Sequence, residues 1–185
     1  NITNWLEEAS FESYEYAEAF VLDFANAVFE ALRLPIDLDH YMENREDYFA
    51  GNAPFESAPL LFEILDNFDA WTAAAGISLT IDYHQYDGQF DMEDPLYTSA
   101  VIAIWTEVAA HFVDSDRDDI FFEIMNEPEL AGDTSSVSQS DWTDFAEEII
   151  TGIRSENDKH VILFGDVEWN GIDALIERTP FDDDS

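Results

Sequence analysis

Short apolar runs alternate along the chain with longer stretches in which apolar residues return every three or four positions. The short runs are Asn1 to Leu6, Ala31 to Ile36, Ser78 to His84, Ile120 to Asn126 and Val161 to Gly165, and they predict strands. The longer stretches predict helices over about Glu15 to Asn26, Phe55 to Ala75, Leu96 to Val113, Asp141 to Arg154 and Gly171 to Glu177. An order of βαβαβαβαβα calls for parallel strands joined by right-handed crossovers, so the expected fold is α/β rather than a sandwich.

Local signals agree with that division. Ser140 or Asp141 is placed to cap the fourth helix, with Asp144 as a weak partner in a capping box. Gly76 stands where the second helix must stop. The run Ile120 to Met125 is apolar apart from Glu123, as a strand covered by helices should be. Segments that follow the second, third and fourth strands are long and rich in Asp, Asn, Tyr and His, whereas those that precede strands are short. Chemistry in such folds collects at the carboxyl ends of the strands.

Composition narrows the class of partner. The chain has 185 residues, 46% of them hydrophobic and 15% aromatic, which suits one domain with a substantial core and excludes an acidic disordered tail. With 43 Asp and Glu against 6 Lys and Arg, it cannot offer the clustered cations that nucleic acid or an anionic membrane surface requires. The longest uncharged apolar stretch, Pro95 to Thr106, is far short of a spanning helix, which needs ~20 residues. There is no cysteine, so disulfides and thiolate metal sites are out.

The net charge of −37 changes the picture again. A compact monomer of this mass exposes about 9,000 Å², or one net charge per roughly 240 Å². Repulsion over such spacings is felt in dilute buffer and screened within ~3 Å in molar salt. Carboxylate excess with a single lysine, Lys159, therefore predicts a protein of a high-salt environment, expected to be secreted. An acidic secreted protein of ordinary salinity is the alternative.

Candidate chemistry gathers at the fourth strand, which ends in Phe121 to Leu130, FFEIMNEPEL. Period-two alternation puts Phe121, Glu123, Met125 and Glu127 on one side, with Glu127 at the carboxyl end, where partial burial would suit it as a proton donor. Asn126 beside it is suited to bonding a substrate hydroxyl. Taken with its context, the motif resembles the (β/α)8-barrel glycoside hydrolases of family 5, the cellulase and endoglucanase group. NITNWLE at the start is similar to that family's first strand, FEALRLP (Phe29 to Pro35) to the second, IDYHQYDG (Ile81 to Gly88) to the third and VILFGDVEWNG (Val161 to Gly171) to the fifth.

The resemblance implies a retaining mechanism with two glutamates, in which Glu127 is the acid/base. Arg33, His84, Tyr86, Asn126, Trp5 and Trp169 would bind the sugar, a β-linked glucan or mannan. No metal or organic cofactor is implied. It also implies a departure, because the family's nucleophile sits on a seventh strand and these 185 residues hold about five β/α units. The expected architecture is an incomplete barrel, read as a single partial domain over 1–185. Its open edges predict a homo-oligomer or a complementing barrel fragment, and a chain that alone hydrolyses weakly or not at all. A non-catalytic carbohydrate-binding or self-assembling half-barrel is the other reading.

Plainer roles are expected elsewhere. Glu123 lies about two strand rises, ~7 Å, below Glu127 and is expected to pair with Arg33. His40 is a possible site residue, whereas His111 and His160 are expected to be structural or exposed. Trp71, Trp105 and Trp142 belong to the core. The run Asp114 to Asp119 lacks the glycine and glutamate of a calcium loop and reads as a solvated turn.

Overall fold

The computed structural model describes residues 11–84, 92, 94–128 and 138–178, with the backbone alone at 11–13, 169 and 177. The expected first strand, Asn1 to Leu6, lies outside the described residues. The chain runs through α1 (Phe11–Asn26), β1 (Ala31–Ile36), a 3-10 turn (Leu38–Tyr41), α2 (Arg45–Phe49), α3 (Pro59–Ala75), β2 (Ser78–Tyr83) and α4 (Pro95–Phe112). It continues through β3 (Ile120–Glu123), α5 (Gln139–Glu156), β4 (Val161–Leu163), α6 (Val167–Asn170) and α7 (Ile172–Glu177).

Four strands form one parallel sheet in the order β1-β2-β3-β4. Sequential order with parallel neighbours is the pattern of a β/α barrel wall rather than of a doubly wound sheet, whose order reverses partway. Register separates the two faces. Leu34, Ile81, Phe122 and Ile162 align in one row, and Pro35, Asp82, Glu123 and Leu163 in the next. On the first face Leu32, Leu34, Ile36, Leu79, Ile81, Ile120 and Phe122 are buried beneath the helices. The other face holds Arg33, Asp82 and Glu123, together with Val161 and Leu163, which are 48% and 37% exposed.

The helix ends follow from their residues. Pro59 opens α3, and Gly76 closes it at φ +69°, a left-handed conformation that costs glycine nothing. Asp94 caps α4 by accepting from the Leu96 N–H. In α5 the cap is Ser138, not Ser140 or Asp141. Its Oγ accepts from the Asp141 N–H at 3.1 Å and donates to the Asp141 carboxylate at 2.6 Å, so the helix starts two residues before the expected point.

The core also takes the helical tryptophans. Trp105 and Trp142 are fully buried, and their indole N–H groups donate to the carbonyls of Ile124 and Gly165. Behind the sheet, Arg117 donates to Asp69, Asp119, Thr72 and the Ile77 carbonyl, so the acidic turn Asp114 to Asp119 is pinned by its one arginine. His160 packs under the sheet against Phe122 and bonds Asn157 and the Arg117 carbonyl, a structural role. His111 in α4 bonds Asp66 at 2.6 Å and packs on Phe62.

One expectation is corrected. Sheet pairing in β3 ends at Glu123 rather than Asn126, and Ile124 and Met125 are both fully buried. The alternation that placed Met125 beside Glu123 therefore stops there. Beyond Glu123 the Ile124 N–H still bonds the Leu163 carbonyl in register, whereas the Asn126 N–H meets the Tyr83 carbonyl one residue out of step with the β2 pairing.

Candidate active site

Arg33 leaves the open face of β1 and is the centre of the site. Its Nε donates to Glu123 Oε2 at 2.6 Å, and one terminal nitrogen donates to Glu123 Oε1 and Asn126 Oδ1, each at 2.8 Å. The same nitrogen lies 3.0 Å from Asp82 Oδ2. One guanidinium thus ties together β1, β2 and β3, a use of the planar fork that lysine's single ammonium could not reproduce. Glu123 pairs with Arg33, as expected.

Asp82 has no exposed surface. Its Oδ2 also lies 2.8 Å from His84 Nδ1. A carboxylate only accepts, so Nδ1 carries the proton and a neutral His84 ring is held in one tautomer. Burial pushes the Asp82 carboxyl up from its usual range. The His84 hydrogen bond opposes that rise, the Glu123 charge adds to it, and Arg33 pulls against it.

Asn126 follows the end of β3, with its carboxamide oxygen committed to Arg33. Glu127 comes next and is exposed at the rim, and Pro128 behind it is buried. Thus Arg33, His84 and Asn126 come together through direct bonds and the Asp82 carboxylate, and Glu127 adjoins them in the chain. Trp5 and Tyr86 lie outside the described residues. Trp169 falls in α6, after β4, and its side chain is also outside them. His40 sits in the 3-10 turn with Nδ1 3.5 Å from Asp37 Oδ2.

Sequence reasoning passed over Asp82. The signal was present, since a single carboxylate in the apolar run Leu79 to Tyr83 needs a cationic or hydrogen-bonding partner to be buried. It also passed over Asn170, whose Nδ2 donates to the Asn126 carbonyl across 44 residues. Nothing local marks that contact. Among the described residues no group of three or more His, Asp and Glu is arranged to hold a metal ion.

Fold and site together define an α/β chain built as part of a (β/α) barrel, with a polar cluster at the carboxyl ends of its strands. The model of the family described as cellulase, glycosyl hydrolase family 5, matches residues 3–185, and the chain belongs to that family. It is 43% identical over 193 residues to Endoglucanase 3 of Fibrobacter succinogenes, covering all of this chain and 29% of that protein. Endoglucanase H of Acetivibrio thermocellus is 23% identical over 186 residues, covering 95% of this chain and 18% of its own. Among solved structures, endoglucanase Cel5A of Thermotoga maritima superposes with a TM-score of 0.74 at 26% identity, covering 89% of this chain and 49% of that one. The chain therefore spans under a third of the curated relatives it matches and about half of the solved barrel.

Proposed function

We propose that this chain carries the acid/base half of a retaining β-glycosidase site for β-1,4-linked glucan, within one glycosidase domain that takes in all of 1–185. Glu127 donates a proton to the glycosidic oxygen as the bond to the leaving sugar breaks, and later takes one from the water that releases the sugar. A second carboxylate, ~5 to 5.5 Å away, forms and then loses the bond to the anomeric carbon. Glu123 is unsuited to that attack because it is held by two bonds to Arg33. The family resemblance assigns the attacking carboxylate to a seventh strand, which a longer form of the polypeptide, a second copy or another chain would supply.

The observation that carries this reading is the commitment of Asn126 Oδ1 to Arg33. It turns the Asn126 amide nitrogen toward a sugar hydroxyl, directly beside the exposed Glu127. His84, anchored by Asp82, lines the same end of the sheet, with Tyr86, Trp5 and Trp169 as further sugar contacts. Structures of Thermotoga maritima Cel5A in complex with cellobiose and with mannotriose support a β-linked oligosaccharide as the ligand class. A second reading, a sugar-binding or self-assembling half-barrel without turnover, draws on the exposed Val161 and Leu163 of β4 and the exposed Ile172 and Ile176 of α7.

Hydrolysis of carboxymethylcellulose and aryl cellobiosides in molar salt tests the proposal. Glu127→Gln is expected to lower the rate by about 10²- to 10⁴-fold. Equal rates in both proteins remove Glu127 from catalysis. Retention on cellulose with no turnover in either selects the second reading.

A further inference from the structure

Asn126 is held from three directions. Its N–H donates to the Tyr83 carbonyl at the end of β2 at 2.9 Å, and its Oδ1 accepts from Arg33 of β1 at 2.8 Å. Its carbonyl accepts from Asn170 Nδ2, at the end of the turn that follows β4. That carbonyl shares one rigid peptide plane with the Glu127 N–H, so fixing it fixes the direction in which Glu127 leaves the backbone. We infer that Asn170 is a positioning residue for Glu127, acting through the Asn126 carbonyl. The inference rests on the proposed acid/base reading only for what Glu127 does.

The turn is built to present that amide. Asp166, buried, accepts from the Val167 N–H through Oδ1 at 2.8 Å, and its carbonyl accepts from the Asn170 N–H at 3.0 Å. Gln139 and Arg178 hold the other carboxylate oxygen of Asp166 from α5 and the chain beyond α7. Asn170 itself has φ +59°, in the left-handed region that asparagine tolerates better than most side chains. A Cβ on Gly165 would collide with the Asn170 carboxamide, so the glycine clears the space in which it lies. Backbone conformation, glycine and donor converge on one contact that no strand pairing requires.

Two variants separate the donor from the backbone. Asn170→Gly keeps the left-handed turn and deletes the donor, and Asn170→Asp keeps the shape but donates only when protonated. Amide exchange of Asn126, corrected for its intrinsic rate, is the readout in the chain as it stands. Asn170→Gly is expected to speed exchange at Asn126 about fivefold while the amides of Leu34 and Ile81 stay within about twofold. Asn170→Asp is expected to match the wild type below pH ~4, where the carboxyl donates, and to lose protection above it. Unchanged exchange at Asn126 in the Gly variant, equal acceleration across β1 and β2, or no pH dependence in the Asp variant overturns the inference. Failure of Glu127→Gln to lower hydrolysis would instead strike the acid/base reading and leave the contact standing.

Discussion

A carboxyl group with no exposed surface, as in Asp82, loses its water when the chain folds, and its charged form loses more than its neutral one. Its pKa is raised in the folded protein, so the native state holds this proton more tightly than the unfolded chain does. Stability is therefore lost as pH rises from the unfolded value, ~3.9, through the raised native one. Asp82→Asn, neutral throughout, escapes that loss. Thermal unfolding at fixed salt should show the variant gaining on the wild type between pH 3.5 and pH 7, and a pH-independent difference would mean that the folded protein does not raise the carboxyl. The ionised form is worth its cost only at the site, where it orients His84 and Arg33 together.

Between elements, α4 and α5 approach closely at Gly152. A Cβ there would lie 2.7 Å from Thr106 Oγ1 and 3.2 Å from Ile102 Cγ2. Glycine inside a helix ordinarily costs ~1 kcal/mol against alanine, so the contact has to outweigh propensity for the glycine to be favoured. Gly152→Val should destabilise by about 1–3 kcal/mol through overpacking. Gly152→Ala should be better tolerated in a Thr106→Ala background than in the wild type, with a coupling of at least ~0.5 kcal/mol in a double-mutant cycle. Additive effects would mean that the helices yield without strain. This pairing was not legible in the sequence, because Gly152 sits in an unremarkable helical stretch and its partner is 46 residues away on another helix.

For the whole molecule, the scarce cations matter more than the many anions. Arg33 binds Glu123, Arg45 binds Asp39, Arg117 binds Asp69 and Asp119, and Arg178 binds Asp166. Arg154 and Lys159 reach the carbonyls of His160 and Val113. All six are thus engaged in holding elements together, which leaves the surplus carboxylates without compensating cations. Repulsion of that kind is screened by salt, so the unfolding temperature should rise steadily from 0.1 to 3 M KCl. A flat or falling curve would defeat the high-salt reading, and light scattering over the same series reports whether copies associate.

How much was readable varied with the range of the interaction. The strand at Ala31–Ile36 was legible to the residue, because six positions of alternating burial leave one register that hides Leu32, Leu34 and Ile36. The α5 cap was misplaced by two residues, since several neighbouring polar groups could serve and only backbone geometry selects Ser138. The pairing of Glu123 with Arg33 was expected once the family resemblance had put Arg33 at the site, while the parts of Asp82 beneath them and Asn170 beside Asn126 were not. By itself the sequence determined the α/β alternation, the family resemblance and the acidic surface, because periodicity, motif and composition are written locally. Only the tertiary structure decided which carboxylate is buried, where β3 leaves the sheet and which amide meets the Asn126 carbonyl. Those depend on groups 40 to 90 residues apart arriving within ~3 Å of each other, and hydrogen bonding at that range leaves no periodic trace in the chain.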